Sequence, residues 1–197
     1  MEPRHRKVLR LLYFSRTPSN SNTNMAAGSL PTDVPGYTLR FAQPRDLPVI
    51  LQFIQDLAEY ERLAHVCVAT EERLEETLFG GRRYAEVLIG SLGETDTGFA
   101  LFFHNYSTFL AQPGIYLEDI FVQPAWRGRG HGRALLTAVA RIAVERGCGR
   151  LEWSVLDWNV DAIGFYERLG AIAMDEWTTM RVTGDALQRL GRPLDDR

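Results

Sequence analysis

The sequence predicts an α/β fold, a mixed central sheet of about six to seven strands flanked by helices, over residues 36–197. Three features carry that expectation. Short β-rich segments alternate with amphipathic helical stretches from Tyr37 onward. The run Tyr116–Val122 alternates apolar and polar residues and leads through a glycine-rich turn, Arg127-Gly128-Arg129-Gly130-His131-Gly132, straight into an amphipathic stretch from Arg133 to Glu145. A later helix has recognisable ends, with Asn159 as N-cap and Gly170 as C-cap.

The elements follow in order. Tyr37 to Ala42 reads as the first strand. Pro44 opens a helix in which Leu47, Ile50, Leu51, Ile54, Leu57 and Ala58 fall on one face. Thr70 caps a short second helix whose Leu74 and Leu78 face inward. Tyr84–Leu92 and Thr97–Asn105 form a hairpin about Gly93-Glu94-Thr95-Asp96. A strand over Ile115–Val122, a helix over Arg133–Glu145, a strand over Leu151–Leu156 and a helix over Asp161–Leu169 come next. Glu176–Val182 is expected as a last strand and Gly184–Leu190 as a terminal helical turn.

The glycine turn is the richest signal. Backbone N–H groups at a helix N-terminus carry the positive end of the helix dipole, and glycines let an anion approach them closely. A phosphate-bearing ligand is the natural occupant. A P-loop requires Lys-Ser or Lys-Thr after its second glycine, but Gly132 is followed by Arg133-Ala134. A dinucleotide fingerprint requires G-x-G-x-x-G, but Gly128, Gly130 and Gly132 give G-x-G-x-G. The pattern Arg127-x-x-Gly130-x-Gly132 instead resembles the diphosphate loop of the GNAT N-acetyltransferases. Asn159-Val160-Asp161-Ala162-Ile163-Gly164-Phe165-Tyr166-Glu167-Arg168-Leu169-Gly170 is similar to that family's second cofactor motif, N-x-x-A-x-x-x-Y-x-x-x-G.

The resemblance covers roughly residues 37–190 and implies the GNAT fold, acetyl-CoA as donor and a primary amine as acceptor. It implies that the cofactor is bound by Ile120, Phe121, Val122, Arg127, Gly128, Arg129, Gly130, His131, Gly132, Arg133, Asn159, Ala162 and Tyr166. His131 is read there as contributing its backbone. An alkylammonium of pKa near about 10.4 is mostly protonated at neutral pH, so transfer to it requires a base. Glu118 is the candidate base, directly or through water, and Tyr166 the candidate acid for the departing thiolate. Strand alternation places Glu118 with Tyr116 and Ile120 on one face, and Asp119 with Leu117 and Phe121 on the other, an assignment that a local bulge would change.

Tyr116-Leu117-Glu118-Asp119-x-Phe121-Val122, Trp158-Asn159, Phe165-Tyr166 and Leu57-Ala58-Glu59-Tyr60-Glu61 look most like the diamine (spermidine/spermine) acetyltransferases within that family. That match implies a substrate pocket with Glu61, Glu118, Asp119 and Asp157, and a homodimer. The chain departs from the pattern after Glu61. An acidic segment is replaced by Arg62-Leu63-Ala64-His65-Val66, which puts a cation at the mouth and turns the expectation toward a shorter amine or an amino-acid side-chain amine.

Composition narrows the alternatives. The 45% hydrophobic and 24% charged residues are those of a globular protein. No apolar run reaches the roughly 18 residues of a membrane helix, so no membrane partner is expected. Cys67 and Cys148 form no pattern, which suggests reduced thiols and a cytoplasmic location, and the four histidines have no metal-ligand spacing, so no metal is expected. Net charge is −3; residues 1–24 carry five cations against Glu2, leaving an acidic body without the basic stripe of a nucleic-acid binder. Residues 1–35 are set apart from the fold, as a disordered tail or upstream start, an organelle-targeting peptide or a basic arm. Two alternatives to a small-molecule enzyme stand beside it, a protein lysine or N-terminal acetyltransferase and a non-catalytic CoA-binding module.

Overall fold

A computed structural model describes residues 28–192. The chain divides into two compact units, Met1–Trp153 and Ser154–Arg197. In the first, five strands lie in the order β1-β2-β3-β4-β5: β1 Tyr37–Phe41, β2 Glu86–Leu92, β3 Thr95–Ser107, β4 Gln112–Val122 and β5 Leu151–Trp153. The first four are antiparallel neighbours, and β5 joins β4 in parallel. The β2–β3 turn is tightened by Gly93 at φ +60°.

Two helices cover opposite faces. The stripe read from sequence forms α1, Leu47–Tyr60, with Ile50 and Phe53 fully buried against Val87, Ile89, Phe99 and Phe121. The Phe53 and Phe99 rings stack at 5.6 Å. Arg40 of β1 grips Asp46, just before α1, through two hydrogen bonds of 2.6 and 2.9 Å. The short helix α2, Glu71–Leu74, is capped by Thr70 Oγ1 accepting from Arg73 N–H, and it continues as a π turn to Phe79. On the other face α3, His131–Glu145, buries Leu135, Val139 and Ile142.

The second unit contains α4, Val160–Arg168, and α5, Gly184–Leu190. Two expectations change here. Glu176–Val182 forms no strand, so the sheet has five strands rather than six to seven. Its β-branched and aromatic residues supply propensity, but propensity without a paired neighbour yields no ladder. Trp177 and Met180 stand 71% and 86% exposed. The strand expected over Leu151–Leu156 stops at Trp153, where its pairing with β4 ends. Of the segment set apart as 1–35, residues 1–27 lie outside the described residues. Leu30 N–H donates to Leu39 O at 2.7 Å, and Arg141 Nη1 donates to Pro31 O at 2.9 Å, so the described end of that segment runs against β1 and α3.

Candidate active site

The pairing of β3 with β4 slips between Leu101 and Phe102. Leu101 stands opposite Asp119, Phe102 opposite Leu117, and Glu118 opposite no residue. Glu118 is the extra residue of a β-bulge. Leu101 and Phe102 point to opposite faces, and so therefore do Asp119 and Leu117. Asp119 is turned onto the α1 face with Phe121, while Leu117 is buried on the α3 face and Glu118 is exposed. This corrects the assignment from strict alternation, which had grouped Asp119 with Leu117. The β4–β5 ladder also stops at Leu117, so among the described residues no strand covers that edge of β4 from Glu118 to Val122.

Asp119 enters a small well at the end of α1. A cavity of about 150 Å³ is walled by Ile54, Leu57, Leu63 and Val66, and its charged groups are Glu61 and Asp119. Burial first, then the charges of Glu118 and Glu61, pushes the Asp119 carboxyl up to about 6. Burial alone raises Glu61. Neither carboxylate has an ion-pair partner among the described residues, which leaves the well in want of a cation. At its rim α1 ends in a Schellman motif, with Leu63 N–H on Ala58 O (2.7 Å) and Arg62 N–H on Glu59 O (3.0 Å). Arg62 fills the left-handed position of that motif at φ +63°, where glycine is the usual residue.

The glycine turn leaves β4 on the other side. Gly128 and Gly130 adopt φ +75° and +87°. Ala134 N–H is the first of α3 to find a backbone acceptor, Gly130 O at 2.9 Å. The N–H groups from Gly128 to Arg133 donate to no backbone carbonyl among the described residues, and a Cβ added at Gly128 would meet nothing within 4 Å. An open row of unpaired donors at a helix N-terminus suits a diphosphate. The two arginines already have protein partners. Arg127 donates from Nε to Val122 O (2.9 Å) with its guanidinium 4.5 Å from the Tyr60 ring centroid, and Arg129 lies 5.0 Å from that of Trp126. His131 offers more than its backbone: its ring is buried, and Nδ1 lies 3.1 Å from Thr97 Oγ1. Burial, then Arg129, lowers its pKa, so the ring is neutral. Thr97 was not singled out from sequence; the available signal was a polar residue opening the apolar run Gly98–Phe103.

In the second unit α4 keeps both of its expected ends. Asn159 Oδ1 accepts from Ala162 N–H at 3.3 Å. Gly170, at φ +93°, closes a Schellman motif with Ala171 N–H on Tyr166 O (3.1 Å) and its own N–H on Glu167 O (2.9 Å). Tyr166 sits in the last turn, its ring 5.3 Å from that of Phe165. Asp157 lies in the exposed turn before α4. Of the four carboxylates expected at the substrate, the structure brings Glu61 and Asp119 into one cavity.

The chain is similar to known acetyltransferases. Residues 52–171 match the family model described as Acetyltransferase (GNAT) family. The chain is 38% identical to the L-ornithine N5-acetyltransferase of Arabidopsis thaliana, over 78% of this chain and 87% of that protein. It is 36% identical to the thialysine N-epsilon-acetyltransferase of Bos taurus, over 77% of this chain and 95% of that protein. An integron cassette protein from the mobile metagenome of V. cholerae shares the fold at TM-score 0.69, with 23% identity over 80% of this chain and 99% of its own. The chain is therefore a member of the acetyltransferase (GNAT) family, an N-acetyltransferase.

Proposed function

We propose that the protein transfers the acetyl group of acetyl-CoA to the terminal primary amine of a small amino-acid-like or diamine substrate, directly and in a ternary complex. The observation that carries this reading is the well at the end of α1, an apolar cavity with two unpaired carboxylates, Glu61 and Asp119. Its walls suit a short aliphatic chain and its charge suits an ammonium group. The Arg62 cation at the rim disfavours a long polyamine and suits the carboxylate of an amino acid. The activities for which the relatives are named, on ornithine and thialysine, point the same way.

Acetyl-CoA, once bound, supplies the acetyl group as an activated thioester. The chain's residues do the rest. The turn from Gly128 to Arg133 holds the diphosphate through backbone N–H groups. The uncovered edge of β4 from Ile120 to Val122 presents donors to the thioester oxygen as it gains charge. Glu118, exposed on its bulge, takes the ammonium proton, directly or through water, so that a neutral amine attacks the carbonyl carbon. The C–S bond then breaks, Tyr166 gives its phenolic proton to the sulfur, and the second proton shed by the nitrogen as the amide forms restores the phenol through water. A panel of ornithine, lysine analogues, short diamines, spermidine and lysine peptides, assayed for thiol release from acetyl-CoA, tests the proposal. Small amino acids with terminal amines should lead; if no amine accelerates thiol release, or peptides lead, the reading is wrong.

A further inference from the structure

One residue of the sheet holds both ends of the glycine loop. Thr97 stands unopposed where the β2–β3 pairing slips between Gly90 and Ser91, and it is fully buried. Its carbonyl accepts from Gln123 N–H, the first residue after β4, at 2.9 Å. Its hydroxyl donates to Gly90 O at 3.3 Å, which leaves Oγ1 to accept from Nδ1–H of His131, the first residue of α3, at 3.1 Å. The loop from 123 to 131 thus begins and ends on Thr97. The His131 ring is 2% exposed and stacks on Tyr37, with centroids 4.0 Å apart and planes 10° apart. Trp126, inside the loop, stacks on the same ring at 6.0 Å, and the Arg129 guanidinium covers Trp126.

Two glycines in left-handed conformations make such a loop entropically costly to order, and a ligand must supply that cost unless the protein has already done so. The geometry points to Thr97 and His131 as a positioning pair that holds the glycine loop ready for the donor's diphosphate. Neither side chain needs to touch the ligand. The pair acts by fixing the first turn of α3 and, through Trp126, the span between. This inference rests on the loop's assignment to the diphosphate under the proposed function.

The test compares acetyl-CoA with S-acetyl-pantetheine, which carries the same thioester without the diphosphate, using the amine best accepted in the panel above. Thr97→Val removes the hydroxyl at constant shape. It should raise KM for acetyl-CoA by about tenfold, the worth of one buried hydrogen bond. Thr97→Ser, which keeps the hydroxyl, should stay within about twofold of wild type, as should kcat, the amine KM and the S-acetyl-pantetheine kcat/KM of Thr97→Val. If Thr97→Val does not fold, Thr97→Cys, which keeps the shape and weakens the hydrogen bond, carries the same measurement. Equal losses with both donors, or no loss with either, would overturn the positioning role. A wild-type chain that does not prefer acetyl-CoA over S-acetyl-pantetheine overturns the diphosphate reading itself, and is recognised before any variant is made.

Discussion

Two β-bulges, one on each side of β3, do opposite things. The bulge at Thr97 gathers groups inward: its carbonyl and hydroxyl both find partners, and the aromatic rings of Tyr37 and Trp126 close over His131. The bulge at Glu118 releases groups. It leaves Glu118 exposed, turns Asp119 into an apolar well, and leaves two carboxylates there without a cation. The same irregularity of pairing thus ties strand, loop and helix together in one place and creates an electrostatic deficit in the other. Under the proposed function the difference suits the demands on each side. A binder of one invariant donor gains from a rigid cradle, whereas the recognition of an amine needs charge left over for the substrate to neutralise.

Removing either proposed proton carrier should cost most. Glu118→Gln and Tyr166→Phe should each lower kcat by about 10²–10⁴-fold if they move protons, measured with the best amine at saturating acetyl-CoA. Near-normal turnover of Glu118→Gln would transfer the role of base to Asp119. On the gathered side, Gly130→Asp should weaken CoA binding by at least about tenfold in calorimetry. It sets a carboxylate against the diphosphate, forces φ +87° on a residue with a side chain, and brings Cβ to 3.1 Å from Val34 Cγ2. Unchanged affinity would remove the loop from the donor site.

Asp119→Asn should sharpen the contrast by separating stability from activity. Folding raises the Asp119 pKa from 3.8 to about 6, so between those values the folded chain binds more protons than the unfolded one. The group's contribution to stability therefore falls as pH rises through that window, by at most about 3 kcal/mol, and stays low above it. Asn should raise the melting temperature at pH 8 more than at pH 4, while raising the amine KM. An equal shift at both pH values would show that Asp119 is not a strained charge. Smallest of all, Arg62→Gly should stabilise the chain by up to about 1 kcal/mol in denaturant unfolding, because it relieves a left-handed arginine. It should also lessen the preference for ornithine over putrescine, and a variant that keeps that preference would strip Arg62 of any part in specificity.

The parts legible in the sequence are those governed by local rules. The α1 stripe, the Asn159 and Gly170 caps and the glycine turn all depend on residues a few positions apart. Where the bulges fall was hidden, since each is a property of register between two strands rather than of either strand. The face of Asp119 was therefore misassigned, and the Thr97–His131 contact, 34 residues apart in sequence, went unseen. The strand expected over Glu176–Val182 failed for a related reason: side-chain preference cannot supply a hydrogen-bonding edge.

Arg127 belongs to both sides. It springs from the glycine turn, yet its guanidinium lies on Tyr60, the residue before Glu61 of the acidic well. A phosphate that drew this side chain away would strip the terminal turn of α1 of that contact. By linkage, whatever factor the donor then imposes on amine affinity, the amine must return on donor affinity. If phosphate does draw it away, this one aromatic–cation contact couples donor to amine, and an apparent amine KM that changes with donor concentration is the signature to look for.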